Sequence, residues 1–485
     1  IRALFSKVPD DRMLLLDLSV DFNYGIWENE YTWNYAKGIY GKKWIYSTVP
    51  NFGGRTCPVG DLDFYLNGHL NALTSPNKGN LIGLGTAPEG VENNEVIYEI
   101  IADAAWSTSH KDIREWLRNY TVNRYGACPD AIMEFWDKML ASDYGFCSSR
   151  AQYRVQEKPF DGLGGRYSVS KTHFEALEAF VAASDELGND SAYLTDLALW
   201  AGIYAFGKAD VLAQQIHRAY LVGDKDTASS LEARFVDLMY RADRLLDLNP
   251  VTRLERWVGF AREWGKDSVE SDKYETNAKR LVTTWGRGRR ADGLDDYSCR
   301  MWSGLIRDYY LPRWQHWFDS CKEGKPFDFD AWEYKWAEES HGVSDFTHCT
   351  DPVAEAKALV AAAHEFEINP DELPGWTSFD MTDGSTRVIR MIAPEDYPLL
   401  KGLRFTWRRG EDPVKLKLVQ INAAGWVRFK KDDIGIEISR ENPVVEIPVD
   451  LKVKNGETFQ FNYLHIVLDE TKKMTDSQVT IEYVK

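Results

Sequence analysis

The stretch Asn80-Leu-Ile-Gly-Leu-Gly-Thr-Ala-Pro-Glu89-Gly90 decides the fold. Its Leu81–Leu84 core reads as a short buried strand, and the Gly/Pro turn that follows stops it with a carboxylate just past the C-terminal end. Downstream, Ile97, Ile100, Ile101, Ala104 and Ala105 fall on one face at helical spacing. In a (β/α) barrel the strands aim their C-terminal ends at one pocket, so catalytic groups sit in this place. A solvated Glu in a glycine-rich turn has the same local pattern, and the surrounding chain must separate the two.

Working outward, Met13-Leu-Leu-Leu-Asp-Leu18 is continuous and apolar, as a buried parallel strand should be, and Trp44–Val49 is similar. Leu62–Leu73 and Glu95–Trp106 supply helices. This is βα repetition, but a closed barrel needs about eight strands and only these few are present. The sequence opens directly on the amphipathic Ile1-Arg-Ala-Leu-Phe5. Residues 1–110 are therefore expected to form the C-terminal part of a (β/α) TIM-type catalytic barrel whose first strands are absent, making the chain a fragment.

Residues 111–368 read as an all-α helical domain. Phe174, Leu177 and Val181 share a face, as do Leu194, Leu197, Ala198 and Ala201, and segments at 226–247, 251–284, 296–321 and 353–366 continue the pattern. No fixed period recurs, which disfavours a solenoid. Near Asn369-Pro370 and Pro374-Gly375 the character changes. From Trp376 onward, runs such as Leu403-Arg-Phe-Thr-Trp407, Val414–Val419, Val444-Val-Glu-Ile, Phe459–Tyr463 and Val479-Thr-Ile-Glu-Tyr alternate with period two. Residues 369–485 are expected to be a β-sandwich accessory domain. The fold class is thus a multidomain α+β chain: partial (β/α) TIM-type barrel, all-α helical domain, C-terminal β-sandwich.

Composition narrows the function. With 485 residues and 44% hydrophobic content, the chain has material for several cores. A formal net charge of −17 argues against a nucleic-acid partner, which would need clustered cations to neutralise phosphates. No uninterrupted apolar run is long enough to span a bilayer, and no signal-peptide pattern is visible at the start. The six cysteines show neither CxxC nor paired metal spacing and read as reduced core thiols, with Cys128 and Cys147 close enough in sequence to pair. HExxH and GxGxxG are absent, so neither a metal nor a nucleotide cofactor is expected. The 18 tryptophans suit stacking on sugar faces, and equally suit aromatic helix packing.

Three unrelated blocks occur in order. They are Lys43-Trp44-Ile45-Tyr46-Ser47-Thr48-Val49-Pro50-Asn51-Phe52-Gly53-Gly54; Thr86-Ala87-Pro88-Glu89-Gly90 with Asn93-Asn94-Glu95-Val96-Ile97-Tyr98; and Asp296–Leu305 running into Tyr309-Tyr310-Leu311-Pro312-Arg313-Trp314. Together they resemble glycoside hydrolase family 89, the α-N-acetylglucosaminidases, from residue 1 to about residue 320. The resemblance implies a retaining exo-glycosidase that removes terminal α-linked N-acetylglucosamine from glycans without a cofactor. The family includes lysosomal and secreted bacterial enzymes, which implies an extracytoplasmic (secreted, periplasmic or lysosomal-type) location.

Glycoside hydrolysis commonly uses two carboxyls across the sugar ring. Glu89 matches the family nucleophile, and the turn amides of Gly90 and its neighbours are expected to stabilise its carboxylate. Glu92 and Glu95 compete locally, but both open a helix, where acidic groups complement the dipole. The family's general acid lies on a strand preceding this sequence and nothing here matches it; Glu28 and Glu30 read as a solvated loop. The missing N-terminal segment is therefore an expected partner. By the same resemblance Leu18 and Phe52 line the pocket, Asn51 sits in a turn where close backbone approach needs glycine, and Trp285 and Tyr297 reach in from the helical domain. Arg313 reads as an ion-pair residue that could also orient the site, and the basic Arg287-Gly-Arg-Arg290 leaves the placement of Tyr297 open. A second reading, a non-catalytic carbohydrate-binding or scaffold protein, fits the same helical and β-rich modules.

Overall fold

The computed structural model describes residues 2–21, 31–90, 95–147, 153–159, 171–222, 224–285, 294–325, 327–339, 342, 348–364, 378–380, 387–392, 397–407, 413–423, 426–451, 462–468 and 479–485. Glu28, Glu30, Glu92, Asn93-Asn94, Arg287–Arg290, Asn369-Pro370, Pro374–Trp376 and Phe459 lie outside the described residues.

Among the described residues four strands precede residue 90: β1 (Leu14–Asp17), β2 (Lys43–Thr48), β3 (Gly60–Asp61) and β4 (Asn80–Thr86). β1, β2 and β4 form a parallel sheet in that order, with Leu16 opposite Ile45 and Ile45 opposite Gly83. Alternation divides the sheet faces. Trp44 and Tyr46 are buried in the core shared with Leu62, Leu66, Ile97 and Ile100. Leu14, Leu16 and Leu18 are 54%, 48% and 48% exposed, leaving an open apolar surface. The single helix expected across Leu62–Leu73 is two, Leu62–Asn67 and His69–Thr74. The break falls at Gly68, where a Cβ would stand 2.6 Å from the Phe64 ring. Asp61 caps the first of them by accepting the Phe64 N–H at 2.9 Å.

Helices then dominate, and the longest, Ser191–Val222, is the centre of the unit. Leu197, Ala201, Tyr204, Phe206, Leu212 and Ile216 are fully buried around its circumference, so this is an enclosed helix rather than an amphipathic surface one. Lys225–Leu246 runs alongside it, and a Cβ at Gly202 would lie 2.8 Å from Leu246, so glycine permits the close crossing. The segment 251–284 contains two helices, Leu254–Arg262 and Ser268–Leu281. Residues 294–304 are not helical; a π-helical turn over Ile306–Tyr310 leads into the helix Leu311–Glu323. Pro312 has no N–H to offer the Asp308 carbonyl, which favours the wider turn. One continuous apolar core joins Trp44 and Ile100 to Phe135, Tyr204, Phe235 and Trp314. The parallel sheet and the helices are therefore packed together.

The described C-terminal residues form two antiparallel sheets. One has five strands in the order Trp426–Ile438, Val414–Ala423, Asn462–Leu468, Arg387–Ile392, Ser378–Asp380; the other has three, Val444–Pro448, Gly402–Trp407, Val479–Val484. Leu416, Ile421, Leu464 and Ile466 from the first share a core with Leu403, Phe405, Ile447 and Val479 from the second. All six cysteines are free thiols, Cys128 and Cys147 included. Among the described residues no helix is long and apolar enough to cross a membrane.

Candidate active site

The end of β2 is fixed by a buried carboxylate. Asp21 accepts the Val49 N–H on both oxygens, at 3.1 and 3.0 Å, and the Tyr65 hydroxyl at 3.3 Å. The chain then turns through Gly53 and Gly54, both left-handed with φ of 64° and 69°. β4 continues the ladder one step beyond its end, with the Ala87 N–H on the Thr48 carbonyl at 2.8 Å and the Glu89 N–H on the Asn51 carbonyl at 3.4 Å. Glu89 therefore emerges at the C-terminal edge of the sheet beside the turn that follows β2.

Its carboxylate is held from two distant places. Oε2 accepts the Gly53 N–H at 2.6 Å and the Tyr297 hydroxyl at 2.5 Å. Beside the expected amides of Gly90 and its neighbours, of which 91–94 lie outside the described residues, the described amide donor is that of Gly53, on the neighbouring strand's loop. A Cβ at Gly53 would lie 2.4 Å from the Tyr297 carbonyl oxygen, so only glycine lets this loop fit between Glu89 and the helical unit.

Tyr297 is itself anchored. Arg55 Nε donates to its carbonyl at 3.0 Å, and the Arg55 guanidinium lies 5.0 Å from its ring centre. Burial, followed by the Glu89 carboxylate, pushes the phenol up to about 12, so it remains a hydrogen-bond donor across the neutral range. Trp285 stands edge-on to the Tyr297 ring, with centroids 5.3 Å apart. Its φ of 60° is unusual for a tryptophan and costs about 1–3 kcal/mol, a strain that surrounding contacts must hold in place.

Behind Tyr297, Asp296 also has a left-handed φ, of 56°. Both of its oxygens lie 3.0 Å from Arg313 Nη1, which is also 3.0 Å from Glu333 Oε1. Arg313 Nη2 donates to the Gln156 carbonyl at 2.7 Å. Lys158 joins the cluster, 3.2 Å from Glu333. Arg313 is therefore a fully buried ion-pair residue one step removed from the site.

The structure thus brings Glu89, Asn51, Trp285 and Tyr297 together. Asn51 is buried, and its Nδ2 donates to the Gly90 carbonyl and to the Tyr98 hydroxyl, each at 2.7 Å; Tyr98 in turn donates to the Gly90 carbonyl at 2.9 Å. That amide fixes the turn carrying Glu89. Phe52 is half-buried in the same loop, while Leu18 lies beyond β1 on the open face with no described contact to Glu89. Arg55 has no signal in the sequence, and Gly53 and Tyr98 stand there only as members of the motif blocks, where the Gly53-Gly54 pair marks a close backbone approach. Among the described residues no group of three or more His, Cys, Asp or Glu side chains is arranged to hold a metal.

Glu89 is thus a carboxylate at the C-terminal edge of a parallel sheet, oriented by a loop amide and a phenol, in the place where a (β/α) barrel carries its catalytic groups. The chain belongs to the α-N-acetylglucosaminidase family: the profile of the family's tim-barrel domain matches residues 1–108, and that of its C-terminal domain matches residues 116–362. It is 28% identical to human α-N-acetylglucosaminidase over 341 residues, covering 67% of this chain and 44% of the human protein. Among solved structures it resembles a family 89 glycoside hydrolase from Clostridium perfringens in complex with 2-acetamido-1,2-dideoxynojirmycin, with a TM-score of 0.65 and 25% identity over 73% of this chain and 42% of that one. A Clostridium perfringens enzyme with two Glu→Gln substitutions, in complex with its substrate GlcNAc-alpha-1,4-galactose, gives a TM-score of 0.66 and 25% identity, covering 74% of this chain and 42% of that one. The chain spans less than half the length of these relatives.

Proposed function

We propose that this chain carries the nucleophile side of a retaining exo-α-N-acetylglucosaminidase site. The observation that carries the reading is the Glu89 carboxylate, held on Oε2 by the Gly53 amide and the Tyr297 hydroxyl at the end of β4. Glu89 attacks the anomeric carbon of a terminal α-linked N-acetylglucosamine as the glycosidic C–O bond breaks and a general acid protonates the departing oxygen; water, deprotonated by that same residue, then displaces Glu89 with net retention. Tyr297 and Gly53 fix the attacking group. Trp285, Phe52 and Leu18 form apolar walls for the sugar, and Asn51 holds the turn. No step calls for a cofactor.

The general acid would come from barrel residues outside this sequence. The parallel order β1-β2-β4 and the open surface of Leu14, Leu16 and Leu18 support residues 1–110 as part of such a barrel. Residues 111–368 then form the helical domain that delivers Trp285 and Tyr297, and residues 369–485 a β-sandwich accessory domain. An extracytoplasmic location is carried over from the family alone.

The test is hydrolysis of an aryl α-N-acetylglucosaminide, with the product anomer followed by NMR. The chain alone should show no turnover, and adding the preceding barrel segment should restore hydrolysis with retention. Glu89→Gln should then lower kcat by about 10^4-fold, because an amide is a poor nucleophile. Turnover by the chain alone would refute the missing acid, and an active Glu89→Gln enzyme would refute the nucleophile. Sugar binding without turnover in the completed protein would favour a non-catalytic binding role.

A further inference from the structure

The segment that delivers Tyr297 also carries a cation to the turn of Glu89. Arg300 lies against two backbone glycines from different loops. A Cβ at Gly54 would stand 2.0 Å from Arg300 Nη1 and 2.2 Å from Nη2. One at Gly90 would stand 3.2 Å from Nη2 and 2.7 Å from the Gly54 Cα. The guanidinium therefore fills the space that side chains at 54 and 90 would occupy, and Gly90 directly follows Glu89 in the chain.

Further contacts hold the cation there. The Arg300 N–H donates to the Tyr310 hydroxyl at 3.2 Å, and its guanidinium carbon lies 5.4 Å from the Trp302 ring centre. Next along, the Met301 N–H donates to Thr56 Oγ1 at 2.8 Å, and Arg55 reaches back to the Tyr297 carbonyl at 3.0 Å. The 51–56 loop and the 297–301 segment are thus laced together on both sides of Arg300. Its charge also acts on Tyr98, drawing down a phenol that burial raises, and the Tyr98 hydroxyl binds the Gly90 carbonyl. Gly54, Gly90 and Tyr98 all converge on the turn of Glu89.

We propose that Arg300 is a positioning residue for the nucleophile: its planar guanidinium braces the Gly54 and Gly90 backbones and sets where the Glu89 carboxylate stands. This rests on reading Glu89 as the nucleophile. A planar fork suits the slot between two backbones, and an ammonium on a flexible stem does not. Lysine therefore keeps the charge and loses the brace.

The test uses enzyme reconstituted from this chain and the preceding barrel segment. Arg300→Ala is expected to lower kcat by about 100-fold, the scale of a misplacement of about 1 Å, with KM changed by less than about threefold. Guanidinium ion at non-denaturing concentration should restore at least about a tenth of the lost rate by occupying the vacated slot, and Arg300→Lys should stay impaired. Amide hydrogen exchange on this chain alone supplies a readout independent of substrate: Arg300→Ala should speed exchange at 52–56 and 87–90 while leaving the helix 191–222 unchanged. A kcat within about threefold of wild type, or a loss that tracks the unfolded fraction without guanidinium rescue, would overturn the role. If the wild-type enzyme cleaves no α-N-acetylglucosaminide, the functional reading has failed instead, and local exchange at the two loops still decides whether Arg300 braces them.

Discussion

Replacing Arg313 with methionine tests how the site is held from behind. The guanidinium is fully buried and meets both Asp296 oxygens and Glu333 Oε1 at 3.0 Å and the Gln156 carbonyl at 2.7 Å. Its removal leaves two buried carboxyls to Lys158, whose backbone N–H reaches Asp296 at 3.2 Å and whose ammonium reaches Glu333 at 3.2 Å. Stranding one side of a buried ion pair costs about 3–5 kcal/mol. Protonation offers a partial escape. Burial already pushes Glu333 up to about 7 against the pull of Arg313 and Lys158, and loss of Arg313 must push it higher. The wild type releases that proton as pH rises through about 7, whereas the variant retains it to higher pH or carries an unpaired charge. At about 1.4 kcal/mol per pK unit, the destabilisation at pH 8 should exceed that at pH 6 by about 1 kcal/mol. Urea unfolding followed by tryptophan fluorescence at both pH values measures this. A loss below about 1 kcal/mol at pH 8, or one independent of pH, would refute a guanidinium that holds this cluster together.

Two further outcomes are expected. Tyr297→Phe removes the hydroxyl that reaches Glu89, a charge-assisted bond worth about 1.5–3 kcal/mol, so kcat of the reconstituted enzyme should fall about 10- to 150-fold; an unchanged kcat would mean that the Gly53 amide suffices. Asp243 is buried, accepts the Gly304 N–H at 2.8 Å and pairs with Arg307, yet burial raises its carboxyl to about 6. Because the folded state then binds the extra proton, this group's contribution to stability is fully present below about pH 4 and is lost as pH rises through 6. The wild type should therefore lose about 3 kcal/mol relative to Asp243→Asn across that window in pH-dependent denaturation, and parallel curves would contradict the assignment.

Much of the architecture was legible because it is written in local periods. Strands stand at Leu14–Asp17, Lys43–Thr48 and Asn80–Thr86 as read, although the first and third, expected to be buried, have no buried residue; the strands after residue 400 alternate with period two. Boundaries were less legible: the crossover helix divides at Gly68, which keeps helical φ/ψ of −61° and −30°, and the Phe64 ring leaves no space for a Cβ there. The periodic face of Leu194–Ala201 marked a helix, but its enclosure on every side depends on neighbours that periodicity does not record.

The sequence by itself determined that a strand ends at a Pro-Glu-Gly turn, that helices and then alternating strands follow, and that glycines at 53 and 54 require a close approach. Those features depend on backbone sterics and side-chain periodicity within a few residues. Only the tertiary structure decided what the Glu89 carboxylate touches. Its donors come from Gly53, 36 residues away, and from Tyr297, 208 residues away. Such pairings form when the sheet and the helical layer close over a shared core, and the free energy of that closure belongs to the packing of whole elements.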